Sequence, residues 1–462
     1  MSRMCRCTLL LVLLIAYPFF GCGVVTGPTP ANSFQAVVFS DLHFNPFYDA
    51  SLFPALLTAD PSQWAGIFQT SAVTTPEAWG ADTNYPLLVL ALSAIKQNLG
   101  TSPVVLYTGD LLGHNFQTTF FQLNGNPLPP NPAAVAAMQA FTDKTVAFVA
   151  QQVRLTVGDV PVMFAVGNID SYTGYGPDSL FLANNAETYY TQFLNGTVDQ
   201  PTFLSTFTSG GYYSAALGTN LLVIGLNTNP FSPLVPGDNQ AAVDTEIAWL
   251  DTTLASAKAA GQKVWILMHI PPGADQITTA SKADSNGHIT TASATMMWVE
   301  TYQTSFLQTL SKYPDVVTLI LAVYTHMDEF RVMSSNFAFD QVPGITPVFG
   351  DDPAFKVFTF AKTTLTPVDY RSLNYDLATL PAEFSAYYTF SEAYDAHGPM
   401  GFSLAQLDRQ IGRNSAARAV YSGLYQSGHN FENPITDVTW PIFACGIGNM
   451  TQQDLIDCVN SY

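Results

Sequence analysis

The sequence is poor in charged residues, and in basic residues above all. Charged side chains make up 11% of the 462 residues, and 16 Lys and Arg stand against 35 Asp and Glu, a formal net charge of −19. A protein that binds nucleic acid needs basic side chains to neutralise phosphates, so this balance argues against that class. It still allows a small phosphorylated substrate, because a bound metal ion can dominate the local field.

The apolar run near the N-terminus is too short to span a bilayer comfortably. Arg3 and Arg6 precede residues 9–20, which have the length of the hydrophobic region of a signal peptide. The sequence F-F-G-C at 19–22 also resembles a bacterial lipobox with Cys22 as the lipidated residue, although Leu is usual three residues before the Cys. A plain cleaved signal and a lipid anchor both stay open. Either predicts an extracytoplasmic protein (secreted, periplasmic or lipid-anchored), with a signal peptide at 1–22 and a Gly/Pro/Thr-rich linker at 23–33.

Cysteine is scarce, with 5 residues in the chain. Cys5 and Cys7 lie in the segment that signal cleavage would remove, and Cys22 is the lipobox candidate. Cys445 and Cys458 remain as an isolated pair, which predicts a disulfide in an oxidising compartment. Two unpaired, buried thiols are the alternative.

Hydrophobic residues are plentiful, at 48% of the chain, which excludes intrinsic disorder as the general state. Because 462 residues exceed what one core usually holds, we expect one large domain with an appendage, or two domains. Helical spacing predicts helices at about 86–98 and at 244–260. Short apolar runs bounded by turn residues predict strands at 36–39, 104–107, 162–166, 221–226, 264–268 and 316–323.

Strands that alternate with helices predict an α/β domain. We place this domain at 34–360, because its last apolar run, 355–360, ends there. Residues 361–462 hold few strand-like runs and many Tyr, Ser and Ala residues, and 403–421 has a helical pattern. We therefore expect a C-terminal helical subdomain that packs on the first domain.

Polar side chains follow five of the predicted strands directly. Four of the 7 histidines are among them, accompanied by two aspartates and an asparagine. The ends of strands in α/β folds are where sites are built, so we expect these side chains at one edge of a sheet. Imidazole and carboxylate together suit Zn, Mn or Fe. The candidates are Asp41, His43, Asp110, His114, Asn168, His269 and His326.

The ordered motifs D-x-H (41–43), G-D-x-x-x-H (109–114), G-N-x-[DE] (167–170), H-I-P-P-G (269–273) and T-H-x-D-E-F (325–330) resemble those of the calcineurin-like metallophosphoesterases. The second, fourth and fifth are similar to the acid sphingomyelinase-like phosphodiesterase branch in particular. The resemblance covers about 34–458. It implies a metallophosphoesterase fold, a central β-sandwich flanked by helices, with the C-terminal helical appendage packed on it.

The resemblance also implies a role for each matching residue. His114 would contact the substrate phosphate, so Asp110 and His114 are the predicted catalytic residues. Divalent metal ions, expected to be Zn with one or two per chain, would activate a hydroxide for attack on phosphorus. The implied metal ligands are Asp41, His43 and His326 for the first ion, Asn168 and His269 for the second, and Asp110 for both.

Two positions depart from the family pattern. Ile169 stands where the family has a catalytic histidine, whose general acid catalysis would contribute about 10²–10⁴-fold. Tyr324 stands where the family has a histidine of the second metal site; it is either a phenolate ligand or an apolar filler. His288, His397 and His429 are candidates to substitute, although a loop histidine in solvent is the simpler interpretation of His288.

The sequence thus predicts a metal-dependent phosphoric ester hydrolase that acts on a phosphoester small molecule or a lipid headgroup. The alternative is a weak or inactive pseudoenzyme that serves as an extracytoplasmic binding protein. The carboxylates of Asp328 and Glu329, which follow His326, are expected either to orient ligands or to be ordinary loop charges.

Overall fold

The structure is a computed structural model that describes residues 32–126, 128–334, 337–429 and 433–462. The expected signal peptide, Cys22 and nearly all of the linker lie outside the described residues. Within the described ranges, no helix combines the length and the apolar character that crossing a membrane requires.

The described residues form twelve strands, arranged in two mixed sheets of six. The strands are β1 (Ser33–Phe39), β2 (Val105–Tyr107), β3 (Val162–Phe164), β4 (Tyr213–Leu217), β5 (Leu221–Gly225), β6 (Lys263–Leu267), β7 (Val317–Ala322), β8 (Glu329–Val332), β9 (Ala338–Gln341), β10 (Ala354–Ala361), β11 (Pro367–Asn374) and β12 (Ser385–Thr389). The first sheet has the order β12-β11-β10-β1-β2-β3 and the second β4-β5-β6-β7-β9-β8. In each sheet the site-bearing strands are parallel, β1 with β2 and β3, and β6 with β5 and β7.

Helices connect the strands and cover the sheets. Among them, α3 begins where the Asn84 side chain accepts the Leu87 N–H at 3.0 Å, and α8 ends at Gly261 with a φ of 68°. The α-helices are α1 (Phe53–Thr58), α2 (Trp64–Phe68), α3 (Tyr85–Leu99), α4 (Phe116–Leu123), α5 (Pro132–Val157), α6 (Ser179–Tyr189), α7 (Gln200–Gly210), α8 (Gln240–Ala260), α9 (Gln276–Ser281), α10 (Glu300–Ser311), α11 (Phe390–Ala393), α12 (Met400–Ile411), α13 (Ser415–Leu424), α14 (Trp440–Gly448) and α15 (Gln452–Val459).

The two sheets pack face to face, which makes the expected sandwich. Trp265 of β6 stacks on Phe34 of β1 and Phe360 of β10, with ring centroids 6.1 and 4.3 Å apart. The next residue, Ile266, belongs to a second hydrophobic cluster together with Leu250 of α8. Successive side chains of a strand point to opposite faces, so β6 joins the sandwich core on one face and is covered by helices on the other. The α/β fold class is confirmed.

The predicted strands are all present, as β1, β2, β3, β5, β6 and β7, and the run at 355–360 is β10. The predicted helices at 86–98 and 244–260 are α3 and α8. The predicted disulfide is also confirmed, because Cys445 of α14 and Cys458 of α15 are bonded, with their Cα atoms 5.9 Å apart.

The segment after residue 360 begins with two strands before its five helices. Strands β11 and β12 extend the first sheet beyond β10. Strand β11, which contains Arg371, pairs antiparallel with β10, which contains Lys356. The sequence did not predict these strands, because Asp, Tyr and Ser interrupt the apolar pattern in β11, and Ser, Tyr and Thr interrupt it in β12. The division of the chain at residue 360 stays a prediction.

Candidate metal centre

Five strands deliver the candidate ligands, but they belong to two sheets and not to one sheet edge as expected. The loops after β1, β2 and β3 come from the first sheet, and those after β6 and β7 come from the second. The sandwich places the carboxyl ends of both sets side by side: Asp41 of the β1 loop lies against His326 of the β7 loop. The site therefore spans the two sheets.

The backbone of these loops is held in an unusual conformation. Positive φ angles occur at Asp41 (48°), His43 (36°), Asp110 (65°), Tyr324 (94°) and His326 (64°). Left-handed backbone costs a non-glycine residue of the order of 1–3 kcal/mol, and such strain gathers where a site requires it. Four of these five residues are predicted metal ligands.

Two glycines let the loops approach one another. A Cβ at Gly167 would lie 1.9 Å from Asp110 Oδ1, and a Cβ at Gly109 would lie 2.9 Å from His269 Nδ1. Gly109 also has a φ of 112°. A side chain at either position would push the ligands apart, which explains the glycines of the G-D and G-N motifs.

Asp170 ties the β2 and β3 loops together. Its carboxylate accepts the backbone N–H groups of Asp110 at 3.2 Å, Leu111 at 2.8 Å and Gly167 at 3.2 Å. Burial and the neighbouring Asp110 charge raise the pKa of Asp170 to about 6, while these N–H donors oppose the rise. Asp170 thereby fixes the main chain from which Asp110 and Asn168 project.

The first group of ligand atoms comes from Asp41, His43 and His326, all buried. Asp41 Oδ1 lies 3.7 Å from His43 Nε2 and 3.7 Å from His326 Nε2. His43 Nδ1–H donates to the Leu112 carbonyl at 2.9 Å, so the neutral ring presents the lone pair of Nε2 to the group. A backbone partner of this kind is what fixes the orientation and tautomer of metal-binding histidines.

The second group is built around Asp110 and His269. Asp110 Oδ2 lies 3.1 Å from His269 Nε2 and 3.3 Å from His43 Nε2, so this carboxylate touches both groups. Asn168 Oδ1 lies 2.7 Å from His269 Nε2, and His269 Nδ1–H donates to the Thr108 carbonyl at 2.9 Å. The structure thus brings the six predicted metal ligands into one buried cluster. Their roles stay predictions.

The cluster has the donors that a divalent cation requires. Both carboxylate oxygens of Asp41 and the Nε2 of His43 are buried and accept or donate no hydrogen bond among the described residues. Lone pairs of nitrogen and carboxylate oxygen that face each other at 3.1–3.7 Å repel unless a proton or a cation lies between them. The residues therefore fit a metal ion, with imidazole and carboxylate ligands of the kind that Zn, Mn and Fe take.

Charges in the cluster shift its pKa values accordingly. Burial alone would lower the pKa of His43 and His269, but the carboxylates, Asp110 foremost, raise each to about 9. Burial opposes ionisation of Asp110, yet the two histidines hold its pKa well below the usual range. Burial, with His43 and His114 nearby, lowers the pKa of His326 well below its ordinary value. Without a cation, the cluster must take up protons to balance its carboxylates.

The carboxylates after His326 are buried and paired, not ordinary loop charges. Asp328 Oδ1 lies 2.7 Å from Lys356 Nζ and its Oδ2 accepts the Tyr388 hydroxyl at 2.7 Å. Glu329 pairs with Arg331 at 3.0 Å and accepts the Thr325 hydroxyl at 2.6 Å. These bonds anchor both sides of His326 and so orient the loop that carries it.

His114 lies beside the cluster and has a partner that sequence reasoning missed. Its Nδ1 lies 2.7 Å from Asp82 Oδ1, its backbone N–H donates to Asp82 Oδ2 at 2.6 Å, and its ring stacks on His43 with centroids 4.2 Å apart. Asp82 is itself buried, so it holds the imidazole with Nε2 free. Asp82 lies in a loop with no motif, and no sequence signal points to it.

A cavity of about 490 Å³ opens over the cluster. Asp110, His114, Asn168 and His326 line it together with both departures from the family pattern, Ile169 and Tyr324. Among the further lining residues are Tyr175, Asp275 and Phe349.

The two departures contribute differently to this cavity. Ile169 presents an apolar side chain, while its backbone N–H donates to Asp110 Oδ1 at 2.8 Å. The Tyr324 hydroxyl accepts a hydrogen bond from Tyr175 at 3.1 Å, and burial holds the pKa of Tyr324 far above its ordinary value.

The remaining histidines are not brought to the cluster. His288 is half-exposed beside Asp284, 3.8 Å away, and His397 is exposed. The His429 ring stacks on Trp79, with centroids 4.0 Å apart. None of the three lines the cavity in the part of the chain that the structure describes.

Comparison with known proteins finds distant relatives that are named as phosphodiesterases. The sequence matches no family model. It is 25% identical over 401 residues to sphingomyelinase phosphodiesterase D of Dictyostelium discoideum, covering 82% of this chain and 80% of the relative. It is 22% identical over 449 residues to cyclic GMP-AMP phosphodiesterase SMPDL3A of Rattus norvegicus, covering 92% and 91%.

Coverage differs among the relatives and the solved structures. The chain spans about half (49%) of sphingomyelinase phosphodiesterase C of Dictyostelium discoideum, to which it is 26% identical over 261 residues, or 54% of this chain. The solved structure of a dimetal phosphatase from Danio rerio aligns with a TM-score of 0.41 and 13% identity, covering 73% of this chain and 95% of that one.

The structure places an Asp/His/Asn cluster at the strand ends of a two-sheet sandwich. The homologues of this chain are acid sphingomyelinase-like phosphodiesterases, as its motifs predicted.

Proposed function

We propose that this chain is a metal-dependent phosphoric ester hydrolase whose active centre is the cluster of Asp41, His43, Asp110, Asn168, His269 and His326. The observation that carries the proposal is the set of buried ligand atoms without hydrogen-bond partners, Asp41 Oδ1 and Oδ2 and His43 Nε2, at the foot of an open cavity. Unpaired carboxylates are too costly to bury without a function. The homologues, named as phosphodiesterases, support the reaction class.

In this proposal Asp41, His43 and His326 hold one divalent ion, Asn168 and His269 a second, and Asp110 contributes to both. The ions would supply Lewis acidity toward the phosphoryl oxygens and a nucleophile at neutral pH.

Protein groups around the ions would orient the ligands and the substrate. Leu112 and Thr108 carbonyls keep His43 and His269 in one tautomer. Asp82 holds His114 at the cavity, where Nε2, in the doubly protonated ring, would donate to a phosphoryl oxygen.

The second candidate is a pseudoenzyme that binds a phosphorylated ligand without turning it over. The apolar side chain of Ile169 favours it, because a proton donor is missing at that position. The phenol of Tyr324, which accepts a hydrogen bond from Tyr175, also favours it, because it stands where the family pattern has an imidazole ligand. Retention of all six predicted ligands favours the hydrolase, which is therefore the function that we propose.

Zinc as the ion and an extracytoplasmic location belong to the same proposal, with the chain either released by cleavage of its signal or anchored through a lipid on Cys22. The Cys445–Cys458 disulfide supports an oxidising compartment. A phosphoester small molecule or a lipid headgroup is the proposed substrate.

The test combines metal content with hydrolysis of bis-p-nitrophenyl phosphate in added Zn or Mn. We expect bound metal and turnover in the wild-type chain. Asp110→Asn should lose most of both, because one carboxylate touches both ligand groups. Asp244→Asn is the matched control, since Asp244 is exposed on α8. Metal binding without turnover under either ion would favour the pseudoenzyme, and unchanged turnover in Asp110→Asn would refute the assignment of the centre.

A further inference from the structure

Arg331 is a buried charge that lies outside the cavity over the metal centre. It stands in β8 with no exposed surface, and it is not among the described residues that line the cavity. Removing a guanidinium from water is costly, and a buried ion pair often contributes less to stability than apolar side chains of similar volume. Stability alone therefore gives no reason for an arginine here, and the groups that it holds give a better one.

The guanidinium is linked to the loop that carries His326. Glu329 and Arg331 are two positions apart in β8, so their side chains lie on the same face of the strand. Arg331 Nη2 lies 3.0 Å from Glu329 Oε2, and Glu329 Oε1 accepts the Thr325 hydroxyl at 2.6 Å. Thr325 directly precedes His326 in the chain. One carboxylate thus joins the arginine to the neighbour of a predicted metal ligand.

The same guanidinium also reaches the loop that carries His269. Arg331 Nη2 donates to the Ala274 carbonyl at 3.0 Å, and Ala274 lies with His269 in the loop between β6 and α9. Arg331 Nη1 donates to the Gly446 carbonyl of α14 at 2.7 Å. The arginine therefore joins three segments, which are the two ligand-bearing loops of the second sheet and a C-terminal helix.

The helix pair α14–α15 gives this arginine a fixed anchor. A disulfide joins the two helices, so α14 is held covalently as well as by packing. Gln303 of α10 makes a second bridge to the same region, because its Oε1 accepts the Gly273 N–H at 2.8 Å and its Nε2 donates to the Met450 carbonyl at 2.7 Å. The β6 loop is thus held to the C-terminal segment at more than one point, and Arg331 connects this contact to the β7 loop.

We propose that Arg331 is a positioning residue of the metal centre, which holds the loops of His269 and His326 to each other and to the disulfide-linked pair α14–α15. This inference rests on the proposed function, because it concerns the ions that the six-residue cluster would hold. Arginine offers a planar fork of donors, whereas lysine offers one nitrogen at the end of a flexible stem. A lysine at this position cannot meet Glu329 and both carbonyls in the same way.

Two variants remove this link in different ways. Arg331→Lys keeps a positive charge beside Glu329, so no buried carboxylate is left unpaired, while the fork to the carbonyls is lost. The double variant Glu329→Gln/Arg331→Met removes the ion pair as a whole. It decides the question if Arg331→Lys does not fold.

Arg154→Lys is the matched control. Arg154 also donates to backbone carbonyls of separate segments, but near the amino end of β3, at the opposite end of that strand from Asn168. These carbonyls are those of Gln192, Phe193 and Val160. Arg154→Lys therefore removes a comparable arginine bridge without touching a ligand-bearing loop.

The measurement is the Kd for zinc of the metal-free full chain, by competition with a fluorescent chelator, on protein that circular dichroism shows to be folded. In Arg331→Lys we expect this Kd to rise about 10- to 100-fold, the usual effect of losing a group that orients metal ligands. For bis-p-nitrophenyl phosphate at saturating zinc, kcat should fall while KM stays within about twofold, because Arg331 does not line the cavity among the described residues.

A merely structural role gives a different result. Arg331→Lys would then lower the midpoint of thermal unfolding and leave the zinc Kd of the folded chain within about threefold of the wild type. That outcome, or an equal loss of zinc affinity in Arg154→Lys, would refute the inference. Zinc binding without turnover in the wild type would count against the hydrolase alone, because the zinc affinities of the variants still decide the role of Arg331.

A wild-type chain that binds neither zinc nor manganese would overturn the proposed centre. Histidine side-chain NMR of the metal-free chain then decides the role of Arg331. Displaced imidazole signals of His269 and His326 in Arg331→Lys, with those of His288 and His397 unchanged, would support positioning. Unchanged signals of all four histidines would refute it.

Discussion

Replacing Ile169 by histidine tests what limits turnover in this centre. The Ile169 backbone N–H is bonded to Asp110 Oδ1 at 2.8 Å, so residue 169 stands next to the carboxylate shared by the two ligand groups, and its side chain lines the cavity. An imidazole there would stand where a leaving alcohol departs. General acid catalysis contributes about 10²–10⁴-fold, or about 2.7–5.4 kcal/mol at 1.36 kcal/mol per factor of ten.

We expect a gain below this range, about 10- to 100-fold in kcat, because the other departure, Tyr324, remains in place. The gain should be larger for diphenyl phosphate than for bis-p-nitrophenyl phosphate. Phenol is a poorer leaving group than p-nitrophenol and depends more on a proton donor. The kinetic assay should therefore compare the two substrates on protein with equal metal content.

Ile169→Gln is the matched control, because it adds a polar group of similar size that does not transfer protons near neutral pH. If Ile169→His is no faster than Ile169→Gln on either substrate, a missing general acid does not limit this site. The reasoning from the family pattern would then be wrong for this chain.

Two further predictions concern metal content and stability. Tyr324→His should raise the metal retained after dialysis toward two ions per chain. Tyr324→Phe should leave the retained metal unchanged. A loss of metal in Tyr324→Phe would instead mean that the phenol is a ligand. Buried Glu77, whose pKa burial raises from 4.5 to about 8, is protonated in the folded chain and ionised in the unfolded chain between those values. Relative to Glu77→Gln, the wild-type free energy of unfolding should thus fall as pH rises from 4.5 to about 8, by at most about 1.4 kcal/mol per pH unit. Parallel pH curves in denaturant melts of the two proteins would contradict this.

That these side chains form one buried cluster could be predicted in part from the sequence, because each of them closely follows a strand. A strand of apolar residues is recognisable by itself, and the motif that follows Ala36–Phe39 or the β6 run needs no knowledge of the rest of the fold. What could not be predicted is how the strands group. Trp265 packs on Phe34 across the sandwich, although the two residues are 231 positions apart in the chain. No periodic pattern in the sequence indicates a contact over that distance. The division into two sheets therefore appears only in the structure.

Residues that reach the site from loops, away from the strand ends, were missed for a similar reason. Asp82 positions His114 from 32 residues away, and Asp275 enters the cavity from the start of a short helix. A carboxylate in a loop has the same sequence appearance whether it faces solvent or a buried imidazole. Strands β11 and β12 were missed because β11 carries Asp, Tyr and Ser, and β12 carries Ser, Tyr and Thr, where a buried strand would carry only apolar residues.

The two departures from the family are side-chain changes on a backbone whose contacts are intact. At position 169 the part that holds Asp110 is the main-chain N–H, which isoleucine supplies as well as histidine would. At position 324 the neighbouring loop is anchored by Thr325 on Glu329, and His326 keeps its place beside Asp41 whatever side chain precedes it. Proton donation and occupancy of the second ion can therefore change without disturbing the first group of ligands. This independence is why a chain lacking two family histidines still assembles the centre, and why single substitutions at 169 and 324 are expected to change its chemistry without unfolding it.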